Sequence, residues 1–127
     1  MTKSELIPVL IATGRVLLGF LFVAGGLRHV IKFSGIAADM QKMGLPFPRL
    51  LLAAATTFQI VAGTLLALGL FVLPAALGLI AFTIVVTVVM LPFWSMQGGD
   101  RTWAYLNWLS NVGIVGGLLL AAAQDLY

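Results

Sequence analysis

Four stretches of about 20 mostly apolar residues dominate the sequence, each long enough to cross the hydrocarbon core of a bilayer as a helix. They run from about Ile7 to Leu27, Leu50 to Leu73, Ala75 to Trp94 and Ala104 to Ala123. In lipid such a segment must satisfy its own backbone N–H and C=O groups, and a helix does so within the segment. The charge content agrees. Only 9% of the residues are charged and 61% are hydrophobic, against roughly 25% and 45–50% in soluble domains. So few charges cannot cover a water-facing globule. A cytosolic enzyme, a disordered tail and a nucleic-acid-binding domain are excluded. The net charge of +3 reflects a shortage of acids, four against seven bases, and marks no basic patch. The expected fold is all-α: an integral membrane four-helix bundle forming a single transmembrane domain over residues 1–127.

The chain between the spans refines this picture. Pro74 is expected to force the turn after the second span, and Pro92 to end or kink the third. Almost nothing separates the second and third spans, which predicts a tight antiparallel hairpin. The first span reads as retained rather than cleaved. Its apolar run is too long for a signal peptide, Arg15 interrupts it, and no small-residue cleavage site follows. The longest connection, Ile31 to Pro48, holds Phe33, Ile36, Met40 and Met43 at helical spacing, with Asp39 and Lys42 on the other side. Ser34 is placed to cap a helix there, Gly44 to stop it and Pro46 to prevent continuation. This predicts a short amphipathic helix on the membrane surface between spans 1 and 2, with an irregular polar loop as the alternative.

Lys and Arg bias sets orientation. Arg28, Lys32, Lys42, Arg49 and Arg101 flank the first and third connections, while Lys3 is the one base at the opposite ends. Both long connections are therefore expected in the cytoplasm and both termini outside. Trp94, Trp103, Tyr105 and Trp108 gather at the cytoplasmic end of the last two spans, as in an interfacial aromatic belt.

The residue counts remove most catalytic chemistry. With no cysteine there is no thiolate nucleophile, iron–sulfur cluster or disulfide. With one histidine, His29, no His-rich zinc site forms. Glu5, Asp39, Asp100 and Asp125 lie outside the apolar runs, and no two are spaced for acid–base work or a divalent metal. No metal site and no catalytic residues are expected, and no catalytic activity of the chain on its own.

What remains is the polar content of the spans. An ionisable group inside a span is costly and needs a partner. Arg15, Gly19, Phe22, Gly26 and His29 share one face of the first span. Thr56, Gln59, Gly63, Leu66 and Leu70 share one face of the second. Thr83 and Thr87 lie one turn apart in the third, Asn107 and Asn111 one turn apart in the fourth with Ser110 beside them. At about 1.5 Å rise per residue, Gln59 lies roughly 13 Å from the cytoplasmic end, Asn111 roughly 10 Å and Arg15 about 20 Å, with His29 at the rim. If these faces point inward, Arg15, Gln59, Asn111, Asn107 and His29 form a polar column, a site for a cofactor or partner. Hydrogen bonding between helices is the plainer role for the Asn, Gln and Thr side chains, and an interfacial position the plainer one for His29. No acid stands in any span. Arg15 must therefore be answered by Gln59, Asn111, carbonyls, water, a lipid phosphate, a ligand or another subunit. Gly19, Gly26, Gly63, Gly113 and Gly117 are candidate helix-packing positions, within the bundle or against another subunit.

Several pieces in order carry a family resemblance. They are Gly14-Arg15, Gly19-Phe20 and Gly25-Gly26, the connection ending Gly44-Leu45-Pro46-Phe47-Pro48, and Phe58-Gln59-Ile60-Val61-Ala62-Gly63. Leu68-Gly69-Leu70 and Asn111 with Gly113, Gly116 and Gly117 complete the set. With these the chain resembles the DoxX family of small bacterial membrane proteins along nearly its whole length. The resemblance implies a four-span bundle in the bacterial inner membrane. Relatives include the DoxD-type subunits of thiosulfate:quinone oxidoreductase, which implies a link to quinone-dependent redox systems. Family members usually carry a glutamate where this chain has Gln59. They often carry a lysine where it has Ser110, and a basic residue near Leu73 or Pro74. If that glutamate pairs with the first-span arginine in the family, this chain has lost the charge pair and keeps only a hydrogen-bonding version, which argues against proton handling. The functional expectation is a non-catalytic accessory subunit of a quinone-linked membrane oxidoreductase, with quinone or lipid at the polar column. Its partners would be the bilayer and either other membrane subunits or further copies of the chain. The alternatives are a stand-alone carrier of small solutes or lipids, or a membrane assembly factor.

Overall fold

The computed structural model describes residues 2–126. Met1 and Tyr127, the two ends of the expected domain, lie outside the described residues. The described chain is helical, with no strand among the described residues. In order come α1 (Lys3–Ile31), α2 (Phe33–Lys42), α3 (Pro48–Leu68), α4 (Val72–Met90), a 3-10 turn (Phe93–Ser95) and α5 (Gly98–Gln124). α1, α3, α4 and α5 are each long and apolar enough to cross a membrane. Their outward faces are apolar too: Leu17, Phe20, Leu50, Val85 and Leu120 are all exposed. In water such a surface is an aggregation liability; in lipid it is the solvated face.

The chain forms two compact units, Met1–Leu70 and Phe71–Tyr127. In the first, α1 packs against α3, and α2 packs on both. α1 buries Gly19, Phe22 and Gly26; α3 buries Leu52, Thr56, Gln59, Ala62, Gly63 and Leu66. The faces read from the sequence are thus the buried ones, apart from Arg15 and His29, which are half-buried, and Leu70, which is exposed beyond the end of α3. In the second unit α4 packs against α5. The buried residues are Val72, Ala75, Ala76, Leu79, Thr83 and Thr87 on α4, and Ala104, Leu118, Ala121 and Ala122 on α5.

The helix ends follow local chemistry. α2 stops where expected. Gly44 adopts φ +83, its N–H bonds Gln41 O at 3.0 Å, and Leu45 N–H bonds Met40 O at 3.2 Å. That pair of bonds is the Schellman arrangement, which leaves few carbonyls without partners. The start of α2 differs from expectation. Lys32 is the N-cap, and Ser34 lies inside the helix without capping it. α1 runs almost directly into α2, so there is no extended entry for a serine to cap.

A second Schellman arrangement ends α3, with Gly69 at φ +75, Gly69 N–H to Leu66 O at 3.2 Å and Leu70 N–H to Leu65 O at 2.9 Å. The second span therefore ends at Leu68, not Leu73, and Gly69 rather than Pro74 stops it. Pro74 sits in the first turn of α4, where its missing N–H costs nothing. Pro92 stands just after the end of α4, as a helix-ending proline should. α5 begins at Gly98, six residues before the expected Ala104.

Candidate functional site

The seam between α1 and α3 is a glycine contact. A Cβ built on Gly19 would strike Gly63 O and come within 2.7 Å of Ala67 Cβ. One on Gly26 would lie 2.5 Å from Ile60 Cγ1, and one on Gly63 3.0 Å from Gly19 O. Only hydrogen at these positions lets the two backbones approach, as in small-residue membrane interfaces. The pairing is antiparallel: Gly19 meets Gly63 and Ala67, while Gly26 meets Thr56 and Ile60.

Into this seam α3 turns Gln59 and Thr56. Gln59 is 6% exposed and Thr56 5%, and Gln59 Oε1 and Thr56 Oγ1 are buried without hydrogen-bond partners. The Gln59 amide lies over Gly25, where a Cβ would come within 2.7 Å of Nε2. His29, half-buried near the end of α1, also has a buried, unpartnered Nδ1. A buried polar atom left unpaired costs about 1–3 kcal/mol, so these atoms mark a place suited to a polar guest.

Arg15 stands elsewhere on the seam. Its guanidinium lies against the turn that ends α3, where a Cβ on Gly69 would meet Nη2 at 3.0 Å and Cζ at 3.1 Å. Gln59 and Gly69 are ten residues apart, about 15 Å of helix. Within this unit Arg15 and Gln59 therefore occupy different levels, and the seam does not bring them together. Arg15 instead faces the carboxyl end of α3, where the helix macrodipole is negative and the last carbonyls point outward. Its Nε is buried without a hydrogen-bond partner.

In the second unit, Asn111 Nδ2 donates to Thr87 Oγ1 at 2.8 Å, tying α5 to α4. Thr83 hydroxyl returns to Leu79 O at 2.7 Å, within its own helix. Asn107 does the same, Nδ2 to Trp103 O at 2.9 Å. A Cβ at Gly113 would meet nothing within 4 Å, and Gly113 is exposed, while Gly117 is half-buried. The asparagine–threonine bridge lines a cavity of about 170 Å³ between α4 and α5, with Thr83, Ile84, Val88, Trp108 and Val112 among its walls. No charged side chain lines it. Ile84, Val88 and Val112 are exposed, so the cavity opens on an apolar face. Trp108 Nε1 is buried there without a hydrogen-bond partner.

Sequence reasoning placed Trp108 in an aromatic belt and missed this donor. The belt itself is centred on Phe93, which makes edge contacts with Trp94, Tyr105 and Trp108 at centroid distances of 5.4, 5.3 and 5.9 Å. Arg101 lies 5.9 Å over the Phe93 ring. Trp103 is 59% exposed. Gly25, the bed for the Gln59 amide, was also missed as a site residue. Its one signal was the Gly25-Gly26 pair opposite a span carrying a single amide.

The comparisons with known proteins agree with one another. The DoxX family model matches residues 10–92. The chain is 30% identical over 115 residues to the Inner membrane protein YphA of Escherichia coli (strain K12), covering 91% of this chain and 82% of that protein. No solved structure matches. With four apolar helices and a relative of the inner membrane, this is a multi-pass inner membrane protein. The chain belongs to the DoxX family.

Proposed function

We propose that this chain is a non-catalytic accessory subunit of a quinone-linked membrane oxidoreductase, and that the cavity between α4 and α5 receives the quinone head group. The observation that carries this reading is the unpartnered indole N–H of Trp108 beside the Asn111–Thr87 bridge, in a neutral cavity open to an apolar face. Trp108 would donate to a quinone carbonyl, and the Thr87 hydroxyl is the second donor. At about 170 Å³ the cavity suits a single ring, being smaller than the roughly 300–1,000 Å³ of drug-sized pockets. The isoprenoid tail would leave past Ile84 and Val112 into lipid. A bound quinone supplies two-electron redox chemistry. The chain itself supplies binding and orientation, and electrons must reach the site from a partner.

Titration with a short-chain quinone analogue, read by tryptophan fluorescence in mild detergent, tests the site. Saturable quenching is expected, lost in Trp108→Phe and weakened in Asn111→Leu. Linear, unsaturable quenching that is equal in all three proteins would sink the assignment. The charge bias around the first and third connections supports a topology with both termini outside. Alkaline phosphatase fused after Tyr127 is then expected to be active, and an inactive fusion with cytoplasmic fluorescence reverses the topology.

A further inference from the structure

A second cavity lies in the first unit, in the angle between α2 and the start of α3. Its volume is about 450 Å³, and Ser34, Ala38, Gln41, Phe47 and Arg49 are among its walls. We propose that it binds the phosphate group of an anionic phospholipid headgroup.

Three features of the walls carry the inference. The first is a positioned cation. The Arg49 guanidinium lies 5.8 Å from the centre of the Phe33 ring, a contact that engages one face of the fork and leaves its N–H edge to meet a phosphate. The second is the set of neutral polar groups. Ser34 and Gln41 line the cavity from the α2 side, so both helices contribute residues that carry donors. The Phe47 N-cap, at φ 47, makes no side-chain capping bond and Pro48 has no N–H, so the Arg49–Leu50 rim adds the favourable end of the helix field.

The third feature is local charge and position. Arg28, Lys32, Lys42 and Arg49 stand around this connection against one acid, Asp39. α2 buries Ala37 and Met40 against the rest of the unit and exposes Asp39 and Lys42, and it joins the ends of two helices long and apolar enough to cross a membrane, which places the cavity at the membrane edge. Phe47 is 76% exposed at the mouth of the cavity, and Leu50, which also lines it, is 68% exposed. A guest held here therefore has apolar surface beside its charged end. A phospholipid presents that combination, and a soluble phosphate does not. The site shares no residue with the α4–α5 cavity and does not depend on the quinone reading.

The test is native mass spectrometry of the full-length protein in mild detergent, titrated separately with phosphatidylglycerol, phosphatidylcholine and inorganic phosphate. One phosphatidylglycerol is expected to be retained in preference to phosphatidylcholine. Arg49→Gln should weaken it about tenfold. Ala38→Phe, which fills the cavity and leaves every charge in place, should weaken it comparably. Lys42→Gln, on the same surface outside the cavity, removes only the diffuse charge and should weaken it far less than Arg49→Gln. Circular dichroism checks the fold of each variant, and Ala38→Phe carries the test should Arg49→Gln fail to fold. Equal retention of both lipids, or equal loss from Lys42→Gln and Arg49→Gln, overturns the proposal. Binding of inorganic phosphate without lipid selectivity overturns the lipid as its source.

Discussion

Gly19 shows how one missing methyl decides a helix contact in this chain. Its hypothetical Cβ would collide with a backbone oxygen on α3, which cannot rotate away as a side-chain tip can. Gly113 carries the same small-residue signature, yet a Cβ there meets nothing. Gly19→Ala is therefore expected to lower thermal stability in detergent by about 1–3 kcal/mol. Gly113→Ala should be neutral or slightly stabilising, because alanine is the better helix former. Equal effects of the two substitutions would contradict the seam described for α1 and α3. The sequence shows Gly19 seven residues from Gly26 on one face and Gly113 four residues from Gly117, but not which glycine has a backbone opposite it. Arg15 gives a related lesson. Its position inside an apolar run was plain from the sequence. That its guanidinium rests on the turn at Gly69 depends on where α3 stops, and that stop was misread.

The helices were legible because each is long, apolar and bounded by charges or prolines, while their ends were legible only in part. Gly44 and Pro92 act as their types suggest. Pro74 does not, because a proline tolerated in the first turn of a helix looks in sequence like one that breaks the preceding helix. The ending of α3 turns on a glycine in a chain with fourteen, most of which serve packing or nothing local. The amphipathic reading of α2 found Met40 on the buried face and Asp39 and Lys42 on the exposed one. It did not find Ala37, a small residue that packs because α3 passes close.

One capping interaction was not legible at all. Leu73 N–H, in the first turn of α4, donates to Asp125 Oδ2 at 3.2 Å from the far end of α5. It substitutes for a cap that Phe71, at φ 49 with an apolar side chain, cannot provide. An anion near a helix N-terminus also opposes the positive end of the dipole. Asp125→Ala is expected to lower thermal stability by about 0.5–1 kcal/mol, with Asp39→Ala, whose side chain caps no helix start, as the neutral comparison. Identical melting of the two variants would show that the contact contributes nothing.

At the scale of the whole molecule, the class was set by composition alone. So apolar a chain belongs in lipid, and its charges lie at the ends of the spans except for Arg15. Function is less legible, for a physical reason. No side chain here carries electrons, and apart from Arg15 Nε and His29 Nδ1 the buried polar atoms without partners belong to a hydroxyl, an amide and an indole. These are common residues, and their unpaired state exists only once helices are packed. Gln59 was visible in the sequence as a polar residue, but its unpartnered oxygen was not. The Trp108 donor was hidden inside an aromatic cluster that reads as an anchor. The proposed accessory role is consistent with the same inventory: a subunit that held a quinone without an electron carrier of its own would require a redox partner.

The most direct measurement is native mass analysis of the protein extracted at its natural level in mild detergent. The expected result is an assembly in which this chain accompanies a subunit bearing flavin, haem or an iron–sulfur cluster, with quinone retained and lost on Trp108→Phe. A homogeneous preparation of this chain alone, carrying lipid and no quinone, would contradict it.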